Sequence, residues 1–240
     1  MTASQNILAL IHEVAILFPV FLLLFSFRGF FLAGTCALLG DKTAHEEGRF
    51  TLNPFVHLDV INLAVFVGVI YFIGGLVGDV IPRGFLYLLL ISLGQRWLFS
   101  FPVYEGAFKF PRLYSVLFGF ASAVSFMIVG FLGLVVIKVL NLDALPRYAF
   151  ISLVEYIRSL VDAAIFFGAI HCIPIPPLDA SRILYPLTYS RYHYIIDKLH
   201  EYDLIILLMI YLLPGVSHVF WRTVAFLQFT IKSTFVSILF

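Results

Sequence analysis

The stretch LYSVLFGFASAVSFMIVGFLGLVVIKVL (113–140) decides the fold, because it carries only one charge, Lys138, over its whole length. A membrane-spanning helix needs about 20 mostly apolar residues, and this stretch exceeds that. Gly119, Ala123, Gly130 and Gly133 repeat along it, and small side chains let a second helix backbone approach closely. Other apolar runs lie on both sides. On the N-terminal side, an apolar run over 7–39 is interrupted by His12-Glu13, Pro19 and Arg28, and reads as a span with an approach helix or as two bent pieces. LDVINLAVFVGVIYFIGGLVGDVI (58–81) predicts a second span, and RGFLYLLLISLGQRWLFSF (83–101) a short one bearing Gln95 and Arg96. PVYEGAFKFPR (102–112) reads as a loop. On the C-terminal side, YAFISLVEYIRSLVDAAIFFGAI (148–170) predicts a span with Glu155, Arg158 and Asp162 inside it. Residues 179–203 are polar and aromatic and are expected outside lipid. LIILLMIYLLP (204–214) is too short unless extended, and residues 217–240 predict an interfacial or terminal helix.

Composition agrees with a lipid solvent. The 240 residues are 62% hydrophobic and 12% charged, with 27 Phe and a mean hydropathy of +1.03. A soluble domain of this length could not bury so much apolar surface. The net charge of +1, with no basic cluster, argues against nucleic acid as a partner. Cys36 and Cys172 both stand in apolar surroundings and read as small buried hydrophobes, not as a disulfide or zinc pair. MTASQNILALIHEV lacks the basic start of a cleaved signal, so the first apolar segment is expected to stay. Lys and Arg are spread over both sets of loops and leave the orientation open. The expectation is an all-α polytopic bundle of about six spans, forming a single integral membrane unit over 1–240. The turn-rich GDKTAHEEGRFTLNP (40–54), with its weakly alternating RFTL, predicts a small β-hairpin at the membrane surface near 43–53.

The apolar run LVDAAIFFGAI leads into HCIPIPPLDASRIL (171–184). Three prolines and an aspartate make a rigid, irregular stretch. Irregular backbone at membrane depth is tolerated only where protein or a cavity shields it, so this turn is expected to face inward. With LLGDKTAHEEGRFTLNPFVHLD, WLFSFPVYEG, LFGFASAVSF and EYDLIILLMIYLL, it gives the chain a resemblance to the site-2 protease family of intramembrane zinc metalloproteases, over nearly its whole length. The most specific elements are Pro-Pro-Leu-Asp and Leu-Asn-Pro. The resemblance implies that Asp179 stands where active relatives place their third zinc ligand. It also implies a His-Glu-x-x-His motif before Leu39-Gly40-Asp41, whose two histidines, one helical turn apart, would hold the metal while the glutamate activates water.

That motif is missing. The corresponding positions read Arg28-Gly29-Phe30-Phe31-Leu32. Leucine cannot ligate, glycine cannot act as a base, and a permanently charged guanidinium repels a dication. Arg28 in an apolar helix needs a partner. The resemblance makes Asp179 the first candidate; Glu155, Asp162 or snorkelling to the interface are the alternatives. Asp179-Ala180 departs from the Asp-Gly of the family and would be strained if the turn required a positive φ.

Other candidates are weaker. His12-Glu13 is a half-motif with Ile16 at the place of the second histidine, in the wrong register. His45-Glu46-Glu47 reads as a solvated turn. A substitute metal cage can be written from His57, Asp59, His171 and Asp179, but His57 and Asp59 read more simply as structural. His171 replaces an asparagine that, in the family, helps to hold an extended substrate strand; it also reads as a helix-end histidine bonded to backbone. The extra span or hairpin within 58–101 would add a lipid-buried contact surface.

The reading is therefore a catalytically inactive relative of the family, a pseudoprotease without zinc. It would bind a membrane partner or peptide, or serve as a scaffold subunit of a larger membrane assembly in a membrane the residues do not identify. Its expected groove residues are Asn53, Pro54, His171, Pro174, Pro176 and Pro177, beside the former metal position at Arg28 and Asp179. Two alternatives stand against it. One is an active zinc metalloprotease with a rebuilt site. The other is a small transporter or channel using Asp59, Asp79, Glu155, Arg158 and Asp162, although no inverted repeat is visible.

Overall fold

A computed structural model describes residues 3–57, 111–140, 151–176, 178–202, 205–206, 209–210 and 213–239. Within them the helices are α1 (Ala3–Leu39), α2 (Thr43–Glu46), α3 (Pro54–His57), α4 (Pro111–Val139), α5 (Ile151–Ile170), α6 (Leu184–Leu187), α7 (His193–Glu201) and α8 (Pro214–Leu239). Short 3-10 helices cover Asp179–Ile183 and Ser190–Tyr192. No strand occurs among the described residues, so the chain is all-α there. The expected spans 58–81 and 83–101 and the loop after them lie outside these residues.

The first apolar run is one continuous helix, not two bent pieces, and it passes through Pro19. A proline inside a helix costs a hydrogen bond and a steric clash. Burial of Val20, Leu24 and Phe25 immediately after it offsets that cost. The core of the described bundle is aromatic. Phe25 meets Phe126 of α4 and Phe167 of α5 edge-on at 5.6 and 5.5 Å, and Phe21 meets Phe167 at 5.2 Å. Edge-to-face rings at this spacing add to the area they bury. Lower on the same pair, Leu32 and Cys36 pack with Tyr114, Phe118 and Ala121, so α1 and α4 run antiparallel.

The glycines of α4 work as the small-residue pattern predicts. A Cβ at Gly133 would lie 2.4 Å from Val161 Cγ2, and one at Gly130 3.2 Å from Ile165. α4 and α5 are therefore in near backbone contact. Gly119 makes room for Ile183 and the Asp179 carbonyl, at 2.9 and 3.2 Å from its missing Cβ. The outward side of α4 is an apolar stripe that includes Leu113, Leu117, Phe120, Val124, Leu132 and Val136.

One expectation needs correction. Residues 43–53 do not form a β-hairpin. Asp41 Oδ1 accepts hydrogen bonds from the Thr43 amide at 2.9 Å and the Thr43 hydroxyl at 2.6 Å, which starts the helical turn α2. Gly48, at φ 71°, follows α2, and Phe50 then stacks on Phe30 of α1 at 4.6 Å. The stretch is tied to α1 before it can pair with itself. The count of six spans goes beyond the described helices. Phe18–Leu39 and Arg112–Val139 are long and apolar enough to cross a membrane. α5 has the length, but Glu155, Arg158 and Asp162 interrupt its apolar character.

Candidate functional site

Arg28 is 3% exposed, at the middle of the apolar part of α1. Its Nη2 donates to Asp179 Oδ2 at 2.6 Å, and its Nε donates to Ser122 Oγ of α4 at 2.8 Å. The Ser122 hydroxyl in turn donates to the same Asp179 oxygen. The three groups form a closed triangle joining α1, α4 and the Pro-rich turn. Each link has a local cause. The α1 helix fixes Arg28, the small residues of α4 let the turn come close, and the 3-10 helix from Asp179 aims the carboxylate at both. Ala180 lies inside that 3-10 helix. Its backbone is right-handed there, so alanine carries none of the strain a positive φ would impose.

Gly29 and Leu32 complete the comparison with the missing motif. A Cβ at Gly29 would fall 2.3 Å from His57 Nδ1 and 2.6 Å from its Cε1. The His57 imidazole therefore fills the space beside Gly29. Its other nitrogen, Nε2, lies 2.7 Å from the Thr51 carbonyl; a carbonyl only accepts, so Nε2 carries the proton. Leu32 is fully buried in the apolar cluster with Cys36, Tyr114, Phe118 and Ala121.

A zinc ion needs three or four Cys, His, Asp or Glu donors around one point. Among the described residues no three such side chains converge. The Asp179 oxygen that faces this point is engaged by a guanidinium and a hydroxyl. The described residues do not fit a zinc ion. The cage of His57, Asp59, His171 and Asp179 does not assemble from its described members, and Asp59 lies outside them.

His171 is 1% exposed. Its Nδ1 donates to the Phe167 carbonyl at 2.8 Å, and its ring packs 5.0 Å from Phe126. Its Nε2 has no hydrogen-bond partner among the described residues. Of the other groove candidates, Pro176 is buried and Pro174 exposed, while Pro177 lies outside the described residues. Asn53 is exposed and receives the Phe55 amide on Oδ1 at 3.1 Å, which opens α3 at Pro54. Asn53 and Pro54 therefore belong to the His57 loop against α1.

The sequence reading missed Ser122, because a single serine in a run of small residues gives no signal. It also missed an open apolar cleft of about 480 Å³ between the Pro-rich stretch and α8. Ile173 and Ile175 form one wall, and Val216, Val219 and Phe220 another.

The remaining charges do not build a polar path among the described residues. Glu155, Arg158 and Asp162 are exposed along α5, and Asp162 Oδ1 accepts from Lys232 of α8 at 3.1 Å. Asp59 and Asp79 lie outside. His45 stacks on Phe50 at 5.8 Å. The His12-Glu13 pair is on α1, and its side chains are outside what is described. Cys36 and Cys172 are both free thiols.

Fold and site together define a chain that is helical in its described residues, with two helices there suited to a membrane and a buried ion-pair centre where the helices meet. The chain is 28% identical over 184 residues to a Bacillus subtilis (strain 168) protein named "Putative zinc metalloprotease YwhC"; the match covers 76% of this chain and 73% of that one. The chain is thus related to a metalloprotease-like protein. No family model matches it, and no solved structure does.

Proposed function

We propose that this chain is a non-hydrolytic, site-2-protease-like membrane protein. It would hold a membrane segment of another protein instead of cutting it, as a binding subunit of a membrane assembly. The whole chain would form one integral unit of about six spans and carry no zinc.

One observation carries the reading: the guanidinium of Arg28 stands against the carboxylate of Asp179, where the resemblance puts a metal. A cation is needed beside that buried carboxylate, and arginine supplies a permanent one. It cannot activate water. Gly29 supplies no base, and His57, with Nε2–H bound to Thr51, is turned into packing. The relationship to a protein named as a zinc metalloprotease supports the ancestry. The cleft beside Ile173 and Ile175 supports retained binding, since an apolar hollow of this size suits side chains of an apolar segment.

The test has two arms. Elemental analysis of detergent-purified protein should find zinc well below one per chain, and incubation with membrane-segment peptides should leave them whole. Stoichiometric zinc that disappears in Asp179→Ala, or a cut peptide, refutes the reading. In membranes, a photo-crosslinker at Val219 should capture the spanning segment of a second protein. If it labels lipid alone, the binding role fails.

A further inference from the structure

The segment that follows the Arg28–Asp179–Ser122 triangle returns toward one end of the bundle. Arg28 and Ser122 lie roughly 15 Å from the C-terminal end of α1 and the N-terminal end of α4, at 1.5 Å rise per residue, and those two ends lie on the same side. From Asp179 the chain climbs toward that side. Ile183 sits on Gly119, and the Arg182 guanidinium lies 5.0 Å above the Phe118 ring. Phe118 and Gly119 stand three to four residues nearer those ends than Ser122, about 5–6 Å along the axis, so α6, the turn at Ser190–Tyr192 and α7 follow a segment that rises toward them.

The described contacts hold α7 on one side. The Tyr185 hydroxyl donates to Asp197 Oδ1 at 2.6 Å, and the Tyr185 ring stacks on His200. Ser181 Oγ and His200 Nε2 are 3.3 Å apart. Ile196 is buried in the same direction. At 100° per residue, the rest of the helix splits into two further faces. Asp197, at the edge of the Tyr185 contact, shares one with Glu201, Lys198 and the exposed Tyr194, and Lys198 and Glu201 pair at 2.6 Å. Ile195, Leu199 and Tyr202 share the other, and are 43%, 39% and 52% exposed. Leu187 and Tyr189, just before α7, are more exposed still, and Arg191 lies over the rings of Tyr189 and Tyr192 at 5.6 and 4.7 Å.

We infer that α7 is an interfacial helix: its Ile195–Leu199–Tyr202 face rests in the headgroup and acyl boundary of the bilayer, over the exit of the Asp179 turn. Three features select lipid over another occupant. The segment that leads to the helix rises toward the ends of two described helices suited to a membrane. Its apolar stripe is narrow and bordered on its outer side by Lys198 and Glu201, as in helices that lie in the membrane plane. Its neighbours are tyrosines and an arginine, the residue types that gather at membrane–water boundaries. The polar face then points to water, and the expectation that 179–203 avoids lipid altogether gives way to half-immersion. This inference rests on the membrane part of the proposed function and is independent of the loss of zinc.

The experiment uses the full chain in phosphatidylcholine vesicles, with Cys36→Ser and Cys172→Ser and one nitroxide label at a time at 195, 199, 197 or 201. Collision with oxygen reports lipid, and collision with a nickel chelate reports water. The oxygen-to-nickel ratio should be severalfold higher at 195 and 199 than at 197 and 201. Equal, water-like ratios at all four positions overturn the inference, because the segment then projects into solvent. Shielding of 195 and 199 from both probes also overturns it, because protein then covers the face. If the Cys36→Ser background fails to fold, the same contrast is read with native cysteines from bromolipid quenching of tryptophan in Ile195→Trp against Asp197→Trp. A chain that bound zinc or cut peptides would sink the proposed function and leave this contrast unchanged.

Discussion

Gly29→Ala gives the sharpest test of how the centre is filled. In a helix interior this change alone stabilises by about 1 kcal/mol, because alanine loses less backbone entropy. Here the new methyl would stand 2.3 Å from His57 Nδ1, 2.6 Å from Cε1 and 3.0 Å from Cγ. Ordinary non-bonded contacts are about 3.5–4.0 Å, so the ring must retreat by more than an ångström. It is not free to do so, since Nε2 is tied to the Thr51 carbonyl at 2.7 Å. Overpacking of this kind costs roughly 1–3 kcal/mol. In a His57→Ala background the space is empty, and the same substitution should stabilise by about 1 kcal/mol. The coupling between the two positions is therefore roughly 2–4 kcal/mol. Reversible unfolding in mixed micelles, read for the wild type, both single variants and the double variant, measures it. Equal effects of Gly29→Ala in both backgrounds would show that His57 does not occupy this space. The consequence reaches function. Arg28→His with Gly29→Glu and Leu32→His should not recover zinc while His57 is present, because the glutamate has nowhere to go.

Other outcomes follow from the same geometry. Arg28→Met or Asp179→Leu alone should destabilise by about 3–5 kcal/mol by leaving a buried charge unpaired, and the double variant should cost far less than the sum; the same unfolding assay reads both. Ser122→Ala should cost about 1–3 kcal/mol, since it removes an acceptor from Arg28 and a donor to Asp179. Gly133→Ala should cost about 1–3 kcal/mol through contact with Val161 Cγ2, and Val161→Ala should relieve it. Asp162→Asn should change stability by less than about 1 kcal/mol, because both partners of its ion pair are more than half exposed.

Local pattern and tertiary contact divide this protein in a particular way. The helical class and the close approach along α4 were legible in the residues, because run length and small-residue spacing are local properties that a helix reads directly. That Arg28 needs a counter-charge was legible too, since an ion cannot sit unpaired among apolar side chains, and the resemblance pointed to Asp179. Ser122 was not legible. Its links to Arg28 and Asp179 cross 94 and 57 positions of the chain, and nothing local distinguishes it from Ser125. The His57 ring beside Gly29 depends equally on where a loop folds back, and the apparent hairpin at 43–53 lost to a side-chain hydrogen bond from Asp41 and a ring stack on α1. The sequence by itself determined that this chain is apolar, helix-forming and without a His-Glu-x-x-His motif before Leu39-Gly40-Asp41. Only the tertiary structure decided what surrounds Arg28 and Gly29, because Ser122, Asp179 and His57 come from distant segments and meet them only when the helices pack.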